Sequence, residues 1–176
     1  MTQVLVFLIE TFFSLMLYVF LLRLMMQWAR ANFRNPIAES IVRLSNWLIM
    51  PLRRALPPIG RLDTASIVAA YAVALVQIAA LSAVLVGSLP DALSWLAAAA
   101  IELVRSALWL YFWAIFIHAL SSMIAPGVRS PLQDLLEAIC EPILGRIRSA
   151  VPSIAGLDLS PMWAGIIIQV LLILIR

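Results

Sequence analysis

Two Asp and two Arg residues recur at matching places in the two halves of this 176-residue chain, and they are its first candidates for chemistry. Asp63 and Asp158 each stand just before an apolar segment. A carboxylate there accepts backbone N–H bonds as a helix N-cap and suits the positive end of the helix dipole. Two carboxylates near an axis between the halves would instead attract a cation. We favour the cap and keep the cation site as the alternative.

Arg53 and Arg148 recur in the same way, each ahead of the Asp of its own half. One interpretation is contact with phosphate or anionic lipid headgroups, which attract an Arg near the membrane interface by about 1 kcal/mol. The other is an ion pair with Asp63 or Asp158 that fixes the turn between them. Both interpretations stay open. The candidates for lipid or phosphate contact are Arg53, Arg54, Arg146 and Arg148.

Ionisable residues also lie inside apolar segments, where charges are costly and often functional. Arg23 is close enough to the end of its segment to extend its head to the interface. For His118 we favour a neutral hydrogen-bonding role over a proton relay. Glu10 and Arg105 are placed to pair between two helices, while Glu102 offers Arg105 a partner on the same helix. The choice between these pairings stays open.

Two amides complete the set of intramembrane polar candidates. Gln77 and Gln169 fall in the middle of apolar segments. We expect them to form interhelical hydrogen bonds, worth about 0.6–2 kcal/mol each, rather than to line a pore.

The remaining composition offers little for catalysis. With one His, one Cys and no Lys, the sequence provides no nucleophile–base pair, metal-ligand cluster or phosphate loop. We therefore expect no enzymatic activity, no cofactor, no metal and no nucleic-acid partner. The single Cys140 is expected to be inert.

The overall composition indicates a membrane protein. Apolar residues make up 64% and charged residues 12% of the chain, against about 45–50% and 25% in soluble domains. A soluble protein of this size does not bury so much apolar surface, so the excess must face lipid. Four segments qualify as membrane spans, which need about 20 mainly apolar residues, namely about 4–28, 64–87, 99–125 and 159–175, the last of them only 17 residues long.

The distribution of Arg predicts the orientation. All twelve basic residues are Arg, and nine of them lie in the first and third connections between the predicted spans, against one at the C-terminus and none in 88–98. The positive-inside rule places the Arg-bearing connections in the cytoplasm. Both termini then lie outside the cytoplasm, and the chain crosses the bilayer several times.

An internal repeat organises the whole chain. A shift of 95 residues aligns 36–63 with 131–158 without a gap, and seven of the 28 positions are identical. Each half has two spans, so both halves have the same orientation, and the axis relating them runs along the membrane normal. The predicted fold is all-α, with four transmembrane helices in two tandem parallel repeats, residues 1–90 and 91–176.

An amphipathic cytoplasmic helix is predicted inside each repeat, at about 36–50 and 131–144. Asn35 and Ser130 are N-caps followed by Pro, and Ser130 with Gln133 has the capping-box spacing. A Pro-containing turn follows over 51–58 and 146–152. We expect these helices to lie in the headgroup plane, with packing against the spans as the alternative. The apolar stripes are Ile37, Ile41, Leu44 and Leu48, and Leu132, Leu136, Ile139 and Ile143.

The second repeat carries a specific resemblance. The strings Glu141-Pro-Ile-Leu-Gly-Arg-Ile-Arg148, Val151-Pro152 and Ala155-Gly-Leu-Asp-Leu-Ser-Pro161 resemble the signature of the YggT/YlmG family, in its two-copy bacterial form, over essentially the whole chain. The first copy departs from that pattern, with Asn46-Trp47 in place of Glu-Pro. The resemblance implies roles in osmotic-stress tolerance and potassium or ion homeostasis, or in membrane-complex assembly and cell or plastid division, and it carries no catalytic residues.

The residues favour a non-enzymatic membrane protein. The resemblance implies the bacterial inner membrane, with both termini in the periplasm, and a role in osmotic and ion homeostasis. We expect an adaptor or assembly factor that supports osmotic and ion homeostasis through membrane-protein partners, its own oligomer or anionic lipids. A cation channel or transporter formed by an oligomer is the alternative, because four spans with few polar groups enclose no path alone.

Overall fold

The computed structural model describes residues 1–56, 63–124, 130–151 and 158–175, and within these ranges the chain is helical, without strands. The predicted all-α class is therefore confirmed. The helices are α1 (Thr2–Trp28), α2 (Pro36–Ala55), α3 (Thr64–Leu85), α4 (Ala92–Ile124), α5 (Pro131–Ala150) and α6 (Ser160–Leu174). Arg61, Arg129, Pro152 and Arg176, which entered the topology and turn predictions, lie outside the described residues.

Among the helices of the described ranges, three are long and apolar enough to cross a membrane: α1, α3 and α4. The fourth predicted span, α6, is apolar but has 15 residues. At 1.5 Å per residue it reaches about 22 Å, less than a hydrocarbon core of about 30 Å. Length and composition therefore identify three candidate spans and one shorter apolar helix.

Helix α4 begins earlier than the sequence predicted. The span was expected from about residue 99, but the helix starts at Ala92, inside the predicted connection. Asp91 explains the difference: its Oδ2 accepts from the backbone N of Ser94 at 3.0 Å, and its carbonyl accepts from Trp95 N at 2.9 Å. A side-chain cap followed by Ala-rich sequence starts a helix regardless of where the hydrocarbon begins.

Helices α2 and α5 begin as predicted. The side chain of Asn35 accepts from Ile37 N at 2.9 Å and that of Ser130 from Gln133 N at 3.2 Å, with Pro at the first helical position of each. The reciprocal half of the capping box is not formed, because Oε1 of Gln133 is buried without a hydrogen-bond partner in the described part of the chain.

Their C-terminal ends differ from the prediction. The turns expected from Pro51 and Arg146 begin as helix, which continues to Ala55 and Ala150. A Pro removes one backbone hydrogen bond from a helix. Packing offsets this in α2, where Ile49 and Leu52 join the apolar cluster formed with α1 and α3.

The buried faces of α2 and α5 pack against the long helices. In α2 the buried positions are Ala38, Ile41, Ser45 and Ile49, and in α5 they are Leu135, Leu136, Ile139, Cys140 and Leu144. Leu44 and Leu132, assigned from the sequence to the apolar stripes, are exposed. Ile41, Leu136 and Ile139 of the predicted stripes are buried. The buried faces also include small residues, Ala38 and Ser45 among them, that the hydrophobic pattern did not count as core.

Contacts between helices repeat in the two halves. α1, α2 and α3 contact one another, and so do α4, α5 and α6. Between the halves, α4 contacts α1 and α3, and α5 contacts α1 and α2. Within the described ranges, α6 contacts α4 and α5 and no helix of the first half.

Candidate functional site

The strongest polar cluster lies where the end of α2 meets the start of α3, and we call it the first junction. Arg53 Nη2 donates to Asp63 Oδ2 at 2.6 Å, and its Nε lies 3.4 Å from Oδ1. Ser66 Oγ donates to Oδ2 at 2.8 Å. Asp63 is completely buried, whereas the Arg53 side chain is 42% exposed. The structure therefore has the ion pair, the second of the two interpretations of Arg53.

The carboxylate of Asp63 is not a cap. Asp63 occupies the N-cap position of α3, and its backbone carbonyl accepts from Ser66 N and Ile67 N, but its side chain accepts no backbone N–H. The predicted capping role is wrong for this side chain, because Arg53 and Ser66 compete for the same oxygens with stronger or equally close donors.

The charge of Asp63 is stabilised by these donors. Burial opposes ionisation, but the hydrogen bonds from Arg53 and Ser66 and the nearby guanidinium charges outweigh it and hold the pKa of Asp63 below its usual value. The carboxylate therefore stays ionised and paired, which disfavours it as an open cation ligand.

Arg23 extends the first junction to α1. Its Nη1 donates to Ser45 Oγ at 2.7 Å, Asn46 Oδ1 at 2.8 Å and the carbonyl of Val42 at 3.3 Å, all on α2. Arg23 is buried, and the expected reach of its head to the membrane interface stays a prediction. The side chain ties α1 to α2, since α2 covers it and supplies three acceptors.

An open pocket of about 410 Å³ borders the first junction. Arg23, Arg53 and Gln27 are among its lining residues. The acid in the lining, Glu39, pairs with Arg43 at 2.6 Å. Two Arg residues at one opening suit an anionic oxygen ligand such as a phosphate group.

The second junction has the same pair in different surroundings. Arg148 donates from Nη2 to Asp158 Oδ2 at 2.9 Å and from Nη1 to Glu141 Oε1 at 3.2 Å. All three side chains are between 42% and 53% exposed. Asp158 Oδ1 accepts from Ser160 N at 2.9 Å, so this carboxylate bonds a backbone N–H at the start of α6, although Leu159 and not Asp158 occupies the predicted N-cap position.

The pKa values at the second junction move in the directions expected of an ion pair. For Asp158, slight burial raises the pKa, but the hydrogen bonds from Ser160 and Arg148 outweigh it and the net pKa is lowered. The hydrogen bond to Asp158 and the nearby carboxylate charges raise the pKa of Arg148.

Other predicted site residues take no part in the hydrogen bonds and ion pairs of the two junctions. Arg54 and Arg146 are exposed, and their side chains have no partner in the described ranges. Arg105 Nη1 lies 3.5 Å from Glu102 Oε2 on the same helix. Of the two pairings considered for Arg105, the structure therefore has the one with Glu102. Glu10 is exposed and forms no ion pair with any described residue.

His118, Gln77 and Gln169 make no side-chain hydrogen bonds that join helices of the described ranges. The His118 ring is half-buried and makes no hydrogen bond to described residues. Gln77 is buried with Oε1 unpaired, and Gln169 lines an apolar groove between α4 and α6. The expected interhelical hydrogen bonds of these two amides are absent from the described part of the chain.

The sequence missed the residues that complete the junctions. Ser45 and Asn46 receive Arg23, Ser66 binds Asp63 and Glu141 binds Arg148. The only local signal was the three-residue spacing from Asp63 to Ser66. The other contacts join different helices, and their formation depends on the packing.

The described residues contain no group of three His, Cys, Asp or Glu side chains placed to hold a metal ion. Cys140 is completely buried on α5, and burial, with the nearby Glu141, raises the pKa of its thiol to about 12.

Three bacterial proteins similar to this chain are described as uncharacterized. The protein named YggT of Escherichia coli is 37% identical over 158 residues, which cover 90% of this chain and 81% of the relative. A Vibrio alginolyticus protein described by its position 3' of proC is 36% identical over 155 residues, covering 88% and 83%. A Pseudomonas aeruginosa protein is 35% identical over 163 residues, covering 90% and 81%. No solved structure matches the chain.

The family assignment follows from the match across both halves. The family model described as CCB3/YggT matches residues 2–84 and 97–176. These stretches begin 95 residues apart, the same offset that aligns the two halves, and they confirm the family resemblance found in the sequence. The chain belongs to the CCB3/YggT family.

Proposed function

We propose that this protein is a non-enzymatic adaptor or assembly factor of the bacterial inner membrane, supporting osmotic-stress tolerance and potassium or ion homeostasis through partners or lipids. The observation that carries the proposal is an exposed mixed surface on α2, which we call the α2 patch. It consists of Leu44, Trp47 and Met50 together with Arg43 and Arg54.

The composition of the α2 patch is typical of a protein-binding surface. Trp, Met and Arg are enriched at the centres of protein interfaces, where Trp and Arg contribute most of the binding energy. Leu44, Trp47 and Met50 are each more than half exposed and lie opposite the face that packs on the long helices. The second repeat has no equivalent patch, since Ile139, Pro142 and Gly145 occupy the matching positions and Ile139 is buried.

Lipid contact is the second part of the proposal. The pocket beside Arg23 and Arg53 suits a phosphate group. This chemistry is compatible with an anionic headgroup held next to the bundle, where the α2 patch would meet a partner at the same surface.

The proposed membrane arrangement is the four-span tandem parallel repeat, with both termini in the periplasm. Two observations support it. α2 and α5 start and end 95 residues apart, and each half has the same set of contacts between its three helices. α6 is short, so as a span it must stand nearly upright or thin the bilayer locally.

Direct cation transport by an oligomer is the competing function. It needs carboxylates free to coordinate an ion, whereas Asp63 and Asp158 are each paired with an Arg. This pairing favours the adaptor. Saturable potassium flux from purified protein in liposomes, abolished in the Asp63→Asn/Asp158→Asn double variant, would establish transport instead.

The adaptor is tested by affinity purification of the tagged full chain from native membranes, with partners identified by mass spectrometry. Trp47→Ala should lose specific partners and the osmotic-stress phenotype. Trp163→Ala is the matched control, since it removes an exposed Trp from α6, and should keep both. Equal behaviour of the two variants would contradict the role of the α2 patch.

A further inference from the structure

The first half of the chain has an apolar groove that the second half covers. Leu103, Ala107 and Leu110 of α4 pack against a buried cluster that α1 and α3 form with Ile49 of α2. Nearby, the Tyr71 hydroxyl donates to the carbonyl of Leu96 at 2.9 Å. α4 therefore fills the groove between the first two long helices.

The second half has the matching groove, and it is open. An apolar groove of about 550 Å³ lies between α4 and α6. The shift of 95 residues relates its lining residues to buried residues of the covered groove. The pairs are Leu17 with Phe112, Phe20 with Ile115, Leu21 with Phe116 and Ala70 with Gly165.

The covering surface also has an open counterpart. The same shift relates Leu103, Ala107 and Leu110 of α4 to Leu8, Phe12 and Leu15 of α1. These three residues, which we call the α1 stripe, are 58%, 62% and 62% exposed. Their spacing of four and three residues places them on one face of the helix.

The contact that joins the two halves has two sides, the groove of the first half and the face of α4 that fills it. Each side has a counterpart, the α4/α6 groove and the α1 stripe, and neither counterpart is covered by a described helix. An exact twofold axis between the halves would exchange α1 with α4 and α3 with α6. The contact between α3 and α4 would then require a matching contact between α6 and α1. Helices α1 and α6 are not in contact. The relation between the halves is therefore open, and a further copy can continue it.

We propose that copies of this chain associate head to tail in the membrane, with the α1 stripe of one copy packed in the α4/α6 groove of the next. Such a heterologous contact gives a ring if the rotation closes and a filament if it does not. The inference rests on the tandem repeat proposed above, not on the adaptor role or on osmotic tolerance.

Gln169 favours a protein occupant over lipid. It lines the groove, and its amide has no hydrogen-bond partner in the described part of the chain. Acyl chains offer no hydrogen bonds, whereas a second helix brings side-chain and backbone groups that bond an amide in the membrane. Acyl chains filling the groove are the competing occupant, and the test must separate the two.

Cross-linking in native membranes tests the contact. Full-length copies carrying Phe12→Cys and copies carrying Gly165→Cys, with different tags, are co-expressed and treated with a short bismaleimide. Cys140 is buried and does not compete. We expect dimers bearing both tags and few dimers of either variant alone. Phe7→Cys is the matched control, since Phe7 is equally exposed on another face of α1, and should give none with Gly165→Cys.

Filling the groove should break the contact. A methyl group at Gly165 would lie 3.7 Å from Phe112 Cε2, an ordinary contact, so Gly165→Ala should keep cross-linking between Phe12→Cys and Phe116→Cys. Gly165→Leu extends into the groove and should lower the yield by about tenfold, as for a loss of about 1.4 kcal/mol of association free energy. Trp47→Ala should leave the yield unchanged, which separates this contact from the adaptor surface.

The unmodified protein provides an independent check. Single-molecule photobleaching of tagged wild-type protein in native nanodiscs should show more than one copy per disc. One copy per disc would overturn the proposal in favour of lipid. Abundant same-residue dimers of Phe12→Cys would overturn it in favour of a symmetric interface.

Discussion

The two junctions contain the same Arg–Asp pair but differ in what surrounds it. At the first, Asp63 is completely buried, bonded by Arg53 and Ser66, with Arg23 nearby. At the second, Arg148 bridges two exposed carboxylates. The first junction therefore has an excess of positive charge and the second an excess of negative charge.

The difference comes from a few substituted positions in the repeat. Position by position, Arg23, Ser45, Asn46 and Ser66 of the first half are replaced in the second by His118, Cys140, Glu141 and Pro161. The Arg–Asp pair is common to both, so we infer that it fixes the geometry of the link between α2 and α3 and between α5 and α6. The surrounding residues determine whether the pair is buried structure or an exposed, chemically accessible surface.

The largest expected effect is the loss of Arg53. Arg53→Ala leaves Asp63 as a buried carboxylate without its guanidinium. Removing one partner of a buried pair costs about 3–5 kcal/mol, and we expect about 2–3 kcal/mol because Arg53 is partly exposed. Arg148→Ala should cost less than about 1 kcal/mol, as for exposed pairs. The free energy of unfolding, measured by SDS titration in mixed micelles, checks this, and equal losses would remove the distinction between the junctions.

The next effect separates Arg23 from its counterpart His118. Arg23→Met removes three hydrogen bonds between α1 and α2 while keeping a long apolar side chain. Hydrogen bonds to charged groups contribute about 1.5–3 kcal/mol, and we expect a loss of about 1.5–2 kcal/mol because Ser45 keeps its bond to the carbonyl of Ile41. His118→Met should change stability by less than about 0.5 kcal/mol. A larger loss for His118→Met would mean that the second half has an equivalent tie.

A smaller effect distinguishes the two carboxylates. Asp158→Asn should be nearly neutral, because Asn accepts the backbone N–H of Ser160 about as well as Asp does. Asp63→Asn removes the charge that pairs with Arg53, and the Asp63 side chain makes no cap hydrogen bond that Asn could keep. We expect the free energy of unfolding to fall by about 1 kcal/mol. Unfolding titrations of the two single variants check this order, and a reversed order would restore the cap as the main role of Asp63.

The smallest effect is the dependence on pH. The folded-state pKa values of Asp63 and Asp158 are lowered, so their contribution to stability is complete above the unfolded-state pKa of about 3.9 and is lost as the pH falls through the lowered values. Thermal unfolding should therefore be insensitive to these groups at neutral pH and should weaken below about pH 4. Asp63→Asn should reduce that acid sensitivity. An unchanged acid profile in this variant would contradict the paired state of Asp63.

Local sequence signals predicted part of this structure well. The starts of α2 and α5 follow from Asn35 and Ser130 with Pro behind them, because a cap acts within one turn of a helix. The early start of α4 was missed because its predicted boundary came from hydropathy, which gives no weight to a polar helix cap such as Asp91. The continuation of α2 past Pro51 was missed because packing against other helices offsets a local cost.

The candidate site was less predictable for the same reason. The repeat identified Arg53 and Asp63 as a pair to consider, but the choice between ion pair, cap and lipid contact depended on burial. The partners of Arg23 lie about twenty residues away on another helix, and no spacing rule connects them. The sequence shows which polar groups need hydrogen-bond partners, and tertiary packing determines which groups become those partners.

The central claim is that two parallel repeats each cross the membrane twice, with α2 and α5 in the cytoplasm. A phosphatase reporter that is active only outside the cytoplasm tests it most directly. Fusions after Pro90 and after the C-terminal Arg176 should be active, and fusions after Arg54 and Arg148 should be silent. A silent C-terminal fusion beside an active one at Pro90 would mean that α6 does not span the membrane and would contradict the parallel repeat.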